Sequence, residues 1–303
     1  MWRFLIILLI TGCRPTSSNT YIESKADGLD YSIQYPERDF LLVNSDVHMG
    51  HYFEAIDSLC EKVNSLYGYD IDEYVLIQSN KRIIDTLIQQ DYYKALLKGR
   101  HIEDQRKCIA LHAGDTVFIP TQLEIDSLRT MLSQVLIDVN IPEYTLRIWV
   151  GSELRHSCLV RVGRNERRYL QLAHREVNLQ TPVGRGEIVR IERNPLYINP
   201  VDGHRYTSTR RDDGRYTKLP RIPFLEPELD GRRPGSLIHP TTNRSTLGKA
   251  VSNGCVGLSE ADAWMVYYYA PIGTEVEFRY NLQVTDSLRN PVTLEDIYKR
   301  SNL

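Results

Sequence analysis

The chain has no charge excess of either sign. Its 37 Lys and Arg face 39 Asp and Glu, for a formal net charge of −2 at pH 7, so no global field points to nucleic acid or to an anionic lipid surface. It has no Cys-x-x-Cys pair to suggest zinc. It has no His-Glu-x-x-His for a metalloprotease and no Gly-x-Ser-x-Gly for a serine hydrolase. It also lacks an apolar run of the roughly 20 residues that crossing a hydrocarbon core requires. What is present, 303 residues of which 42% are hydrophobic, suffices for a real core in one large or two modest domains. Partners therefore have to be argued from local sites.

The N-terminus reads as an export signal: Arg3 supplies positive charge, Phe4 to Ile10 form a short apolar run, and Thr11-Gly12-Cys13 closes it. An apolar run that ends in small residues and cysteine resembles the lipobox of bacterial lipoproteins. The resemblance implies acylation of Cys13, a mature chain that begins there, and a periplasmic protein held at the cell envelope by its lipid. The alternative is an ordinary cleaved signal that contains a cysteine. Arg14 to Thr20 is polar and rich in Ser and Thr, as a tether would be, so residues 1–21 are assigned to signal and tether. Cys60, Cys108, Cys158 and Cys255 remain, in a compartment that permits disulfides. Cys60 falls in the helical spacing Phe53, Ile56, Cys60, Val63 and reads as core.

Residues 22–139 form a smaller, helix-containing region of unassigned role. Apolar residues from Val47 to Tyr67 recur every three or four positions, predicting an amphipathic helix that Gly68 ends. His48 and His51 flank its start, with Asp46 and Glu54 nearby; a metal site and a solvated face both fit. Tyr74 to Ile77 is a strand candidate, Ile83 to Ala95 reads as helix, and Gln122 to Leu136 as another. The run 111–120 contains a Gly-Asp turn feeding a strand that Pro120 stops. It resembles the end of a LysM glycan-binding repeat, and an ordinary hairpin fits equally. Beyond a boundary near Val139 the pattern alternates, with Leu146, Ile148 and Val150 on one strand face and Leu159-Val160 and Val162 in another strand. The arginine-rich stretch from Arg185 to Arg233 has little periodicity and reads as excursions around a sheet. Helix returns from Ser259 to Tyr269, opened by a capping box with Asp262, before a strand from Val276 to Tyr280. The tail 283–303 is polar and reads as a surface helix.

The sharpest local signal is Ser252-Asn253-Gly254-Cys255-Val256-Gly257, preceded by His239 with fifteen residues between histidine and cysteine. Glycines on both sides of a cysteine permit a tight turn whose N–H groups can face a carbonyl oxygen. A histidine within reach is the usual means of activating a thiol whose free pKa is about 8.5. A lone cysteine is more often a buried structural thiol.

The string from Ile238 to Tyr280 resembles the catalytic core of the L,D-transpeptidases. It carries His239, the gap, Ser252-Asn253-Gly254-Cys255, then Asp262-Ala263 and Gly273-Thr274-Glu275-Val276. Thr181-Pro182-Val183-Gly184 resembles the family's Thr-Pro-x-Gly strand, so the resemblance spans about 140–282. It implies an α+β chain whose catalytic domain is a mainly-β sandwich. It implies Cys255 as nucleophile and His239 as base, with Gly254, Asn253 and Ser252 shaping the oxyanion loop. The reaction implied opens the bond before the terminal D-alanine of a peptidoglycan stem peptide, through a Cys255 thioester. A second stem resolves the thioester as a crosslink, or water resolves it as an L,D-carboxypeptidase would; neither route needs a metal or organic cofactor. Two positions depart from the family: Asn253 stands where histidine is usual, and Gly257 where arginine is usual. Arg210, Arg211, Arg232, Arg233 or Arg244 could restore that charge, with Thr241 as a further contact to substrate. An impaired domain that only binds peptidoglycan is the reading from another class.

Overall fold

The computed structural model describes residues 38–300 with the exception of Ser287. Cys13, the export signal and the tether lie outside the described residues. No helix among the described residues is long and apolar enough to cross a membrane.

The N-terminal region is helical, with departures that have local causes. Tyr52–Tyr67 is a helix whose buried residues Phe53, Ile56, Leu59, Cys60 and Val63 follow the expected stripe. It ends at Gly68, which takes φ 69° and donates its N–H to Asn64 O, a conformation open to glycine without penalty. The helix starts later than its apolar pattern implied, because Val47–His48 is a strand and Met49–His51 a 3₁₀ turn. Tyr74 to Ile77 is not a strand but part of the helix Glu73–Gln78, capped by Asp72, whose side chain accepts from Val75 N–H. Every residue of that helix is buried, and a short run buried on all sides has no periodicity to reveal its type. The helix read from Ile83 to Ala95 is two, Arg82–Gln89 and Tyr92–Leu97. Asp91 separates them because its carboxylate takes the N–H groups of Tyr93 and Lys94, and such a cap favours a new start over continuation.

The strands Ile109–Leu111 and Thr116–Phe118 do not form a hairpin with each other. Each pairs antiparallel with an earlier segment, Val47–His48 and Phe40–Leu42 respectively. Gln122–Ser133 is a helix opened by a full capping box between Thr121 and Glu124.

The region from Val135 onward is a mainly-β sandwich-type unit built on one eight-stranded mixed sheet. In spatial order the strands are Val256–Leu258, Ile238–Pro240, Phe224–Leu229, Gly184–Glu192, Glu275–Arg279, Val135–Asn140, Thr145–Val150 and Glu153–Leu159. Two neighbouring pairs are parallel, Ile238–Pro240 with Val256–Leu258 and Glu275–Arg279 with Val135–Asn140; the others are antiparallel. The sheet starts at Val135, ahead of the boundary expected near Val139, because Val135, Ile137 and Val139 alternate into its core. The two ends of the sheet then meet. Two residues after the last strand, Arg161 bridges Gly257 in the first, with N–H to O distances of 2.9 Å in both directions. Val162–Gly163 continues this seam against Ala250–Ser252. Closing the sheet in this way pairs edge groups that would otherwise be exposed.

The helix Glu260–Tyr269 is capped by Ser259, whose hydroxyl accepts from Asp262 N–H at 3.0 Å. Eight of its ten residues are buried, as befits a helix lying between two layers. On one side are the sheet strands that carry His239 and Gly257; on the other are the N-terminal helices. Tyr268 and Tyr52 share a hydroxyl contact of 2.5 Å, Tyr267 OH donates to Glu73 at 2.6 Å, and Gln78 donates to Tyr268 O at 2.7 Å. Glu260 accepts from Tyr92 N–H, Gln105 and Arg211. One buried cluster thus runs through both regions, from Leu41 to Tyr298. The tail is not a helix: Gln283–Thr285 and Pro291–Thr293 pair as a hairpin, and Tyr298 returns to the interior.

Candidate active site

The parallel pairing of two short strands sets the site. Ile238 faces Val256, His239 faces Gly257 and Pro240 faces Leu258. Side chains alternate along a strand, so Cys255, two positions before Gly257, lies on the side of the sheet that His239 occupies. His239 Nδ1 is 2.8 Å from Pro240 O. A carbonyl can only accept, so Nδ1 carries the proton and Nε2 holds the free lone pair that a base needs. The imidazole packs against Phe224, ring centres 5.0 Å apart. Burial and the neighbouring Arg161 charge hold it well below its ordinary 6.5, at about 4, so it is neutral at neutral pH.

Cys255 Sγ accepts from Leu237 N–H at 3.4 Å. Burial pushes the thiol up, while the Leu237 N–H and Arg161 pull it down. No hydrogen bond joins Sγ to the imidazole among the described residues; thiol–imidazole bonds are often loose in unliganded sites. The thiol and the imidazole are thus both neutral at neutral pH.

The loop before Cys255 is held from three directions. Ser252 Oγ donates to Cys255 O at 2.7 Å and accepts from Gly254 N–H at 3.2 Å. Gly254 has φ 111°, in the region that disfavours any side chain. Asn253 Oδ1 accepts from Arg164 at 3.0 Å, and the same guanidinium reaches Ser252 O and Val251 O. Thr181 is the third support: its hydroxyl donates to Gly254 O at 3.0 Å and accepts from Gly163 N–H at 2.8 Å. Tyr298 OH donates to Gly163 O at 2.6 Å and accepts from Thr181 N–H at 3.0 Å, so the C-terminal tail is part of the scaffold. Cys255 N–H takes no acceptor among the described backbone groups and is free to meet a carbonyl oxygen.

The arginines proposed from sequence each have their own surroundings. Arg232 and Arg233 are exposed at the turn after Phe224–Leu229, with Arg233 near Glu228 at 3.9 Å. Arg244 lines a cavity of about 440 Å³ with Asp91, Lys94, Ser259 and Asp262. Arg211 is fully buried against Glu260, and the exposed Arg210 donates to Gly214 O. Thr241 is buried and takes its own loop as partner, with Thr241 N–H donating to Leu258 O at 2.6 Å and its hydroxyl meeting Asn243.

The cation that enters the site is Arg161. Its side chain covers Gly257, where an added Cβ would come within 2.5 Å of Arg161 Nε and 2.7 Å of its Cγ. The alternation Val160, Arg161, Val162 was the available signal, since both valines are fully buried and the arginine between them has to face the other side. All four described cysteines are free thiols. His48 and His51 line a cavity of about 570 Å³ with Asp104, Arg106, Lys107 and Arg221, and His48 Nδ1 lies 3.0 Å from Lys107 O. Neither histidine enters a compact group of metal-ligand side chains among the described residues, where the one such group is His156, Cys158 and Asp262.

Residues 134–278 match the family model YkuD, the L,D-transpeptidase catalytic domain. No curated protein matches the chain. Among solved structures, an L,D-transpeptidase from Mycobacterium smegmatis is 18% identical over 48% of this chain and 58% of its own, with a TM-score of 0.33. L,D-transpeptidase 3 from Mycobacterium tuberculosis, solved with a faropenem-derived adduct, is 21% identical over 48% and 60%, with a TM-score of 0.33. A fragment of an L,D-transpeptidase from Xylanimonas cellulosilytica, residues 123–326, is 15% identical over 85% of this chain and all of that one, with a TM-score of 0.35. The chain thus spans under two thirds of the length of the mycobacterial relatives.

Proposed function

We propose that the protein is a peptidoglycan L,D-transpeptidase that works through Cys255 and His239. The observation that carries this reading is the pairing of a cysteine on a glycine-shaped loop with a histidine whose Nδ1–H is already committed to Pro240 O, inside the stretch that matches the family.

The donor is a stem tetrapeptide. As Cys255 Sγ attacks the carbonyl before the terminal D-alanine, its proton passes to His239 Nε2 and the carbonyl oxygen turns toward the Cys255 N–H. Collapse breaks the C–N bond, His239 returns the proton to the leaving amine, and an acyl thioester remains. The side-chain amine of a second stem then attacks. Its proton goes to His239, a new amide forms, and the C–S bond breaks to restore the thiol. Water in place of the amine yields tripeptide, the carboxypeptidase outcome at the same site. The proposal includes an envelope location through a lipid on Cys13.

The test is to incubate the chain lacking residues 1–20 with disaccharide tetrapeptide, beside a Cys255→Ala control, and to resolve products by mass. A cysteine-dependent dimer lacking one D-alanine supports transpeptidation, and tripeptide alone assigns a carboxypeptidase. No product from folded protein counts against both and favours a domain that binds peptidoglycan without turnover.

A further inference from the structure

Arg161 is a partly buried cation. Its Nε is shielded from solvent and has no hydrogen-bond partner among the described residues. The charges that act on its guanidinium are Cys255 and Arg164, neither of them a carboxylate. A partly buried guanidinium with no carboxylate beside it keeps donors available for an anion that enters the site. Its backbone is fixed by two hydrogen bonds to Gly257, and its side chain fills the space that a side chain at 257 would occupy. The guanidinium is therefore held above the strand that follows the nucleophile, and Gly257 is what makes room for it.

We propose that Arg161 is the carboxylate-binding residue of the acyl-donor site, receiving the free C-terminal carboxylate of the residue that leaves. This rests on the function proposed above. In a donor whose last peptide bond is cut, that carboxylate is three bonds from the carbon under attack, and it is the one anion that must lie beside the sulfur. A guanidinium suits it because two parallel N–H donors match a carboxylate edge. Such a contact selects for peptides whose scissile bond precedes a free terminus and rejects bonds inside a longer chain. In effect, the charge enters from the neighbouring strand at 161 instead of from 257.

The experiment compares disaccharide tetrapeptide with its C-terminal amide, first on the protein with its natural sequence. The acid should exceed the amide in kcat/KM by roughly 10- to 100-fold, the range for a hydrogen bond to a charged group. In Arg161→Gln this ratio should collapse toward one, and in the double variant R161G/G257R, which moves the guanidinium to the facing strand, the preference should return. Equal use of acid and amide by the natural sequence overturns the proposal, and needs no variant to fold. A fall in kcat/KM for acid and amide alike in Arg161→Gln, with a raised pH midpoint for alkylation of Cys255, also overturns it and makes Arg161 a group that only stabilises the thiolate. Should the natural sequence turn over neither peptide, calorimetric binding decides. A preference for the acid that Arg161→Gln abolishes keeps this inference while the activity reading falls; no preference ends both.

Discussion

Two cysteines of the catalytic region sit beside histidines, and their surroundings carry opposite charge. Cys255 shares a sheet face with His239 next to an arginine that has no acidic partner among the described residues. Cys158, His156 and Asp262 place their ligand-type atoms within 4.8 Å of one another, with His156 Nε2 at 2.9 Å from Asp262 Oδ1. Burial raises both thiols. At Cys255 the nearby N–H and guanidinium oppose it, whereas at Cys158 the Asp262 carboxylate adds to it. Asp262 is also occupied in opening the helix Glu260–Tyr269 through Ser259. The third charge is positive at Cys255 and negative at Cys158, so it favours a thiolate at the first and opposes one at the second.

The widest separation between the two sites is expected from removing the thiols. Cys255→Ala should lower turnover of disaccharide tetrapeptide by about 10⁴-fold or more, since nucleophile and base act as a unit. Cys158→Ala should leave turnover within about twofold and cost about 1–2 kcal/mol in denaturant unfolding, as a small cavity would. Comparable losses of activity in the two variants would break the contrast.

Replacing the bases comes next. His239→Gln should reduce kcat/KM by about 10²- to 10⁴-fold, the usual worth of a positioned proton acceptor. The acid limb of the pH profile sharpens this. His239 acts as a base only when neutral, and its pKa lies at about 4, below the ordinary value. Activity should then persist as pH falls through 6.5 and decline only near 4. A midpoint at 6 to 7 would mean that the imidazole is not the buried group described. His156→Gln should leave the profile where it is.

Smaller effects test the scaffold. Gly254→Ala forces a side chain into φ 111°, which costs about 1–3 kcal/mol and displaces the loop that presents Cys255. Thermal unfolding and turnover should both fall. Asp262→Asn, acting on a half-exposed pair and a helix cap, should cost about 1 kcal/mol and leave turnover unchanged.

The candidate site is compact along the sequence, whereas the frame that supports it is not. Cys255, His239 and the Ser252–Gly254 turn are adjacent or nearly so along the chain, and their residue types narrow the possibilities. Alternation in Leu146 and Ile148 reads as sheet because those two are buried and their neighbours are less so, whereas Val135–Asn140, buried on both faces, reads as the end of a helix. By contrast, Glu73–Gln78 is buried on every side and gave no period. The tail could not be read because Tyr298 acts through Thr181 and Gly163, contacts that span 117 and 135 residues. Arg161 escaped for a related reason. Its partner Gly257 is an absence of side chain, and only the closing of the sheet brings the two together.

The central claim is that Cys255, and not Cys60, Cys108 or Cys158, is the thiol that a substrate-like acyl donor acylates. Incubation with a carbapenem followed by intact mass and peptide mapping tests it directly. The account predicts one adduct, located on Cys255 and lost in Cys255→Ala. An adduct on Cys60, Cys108 or Cys158, or a folded protein that takes up none, would contradict it.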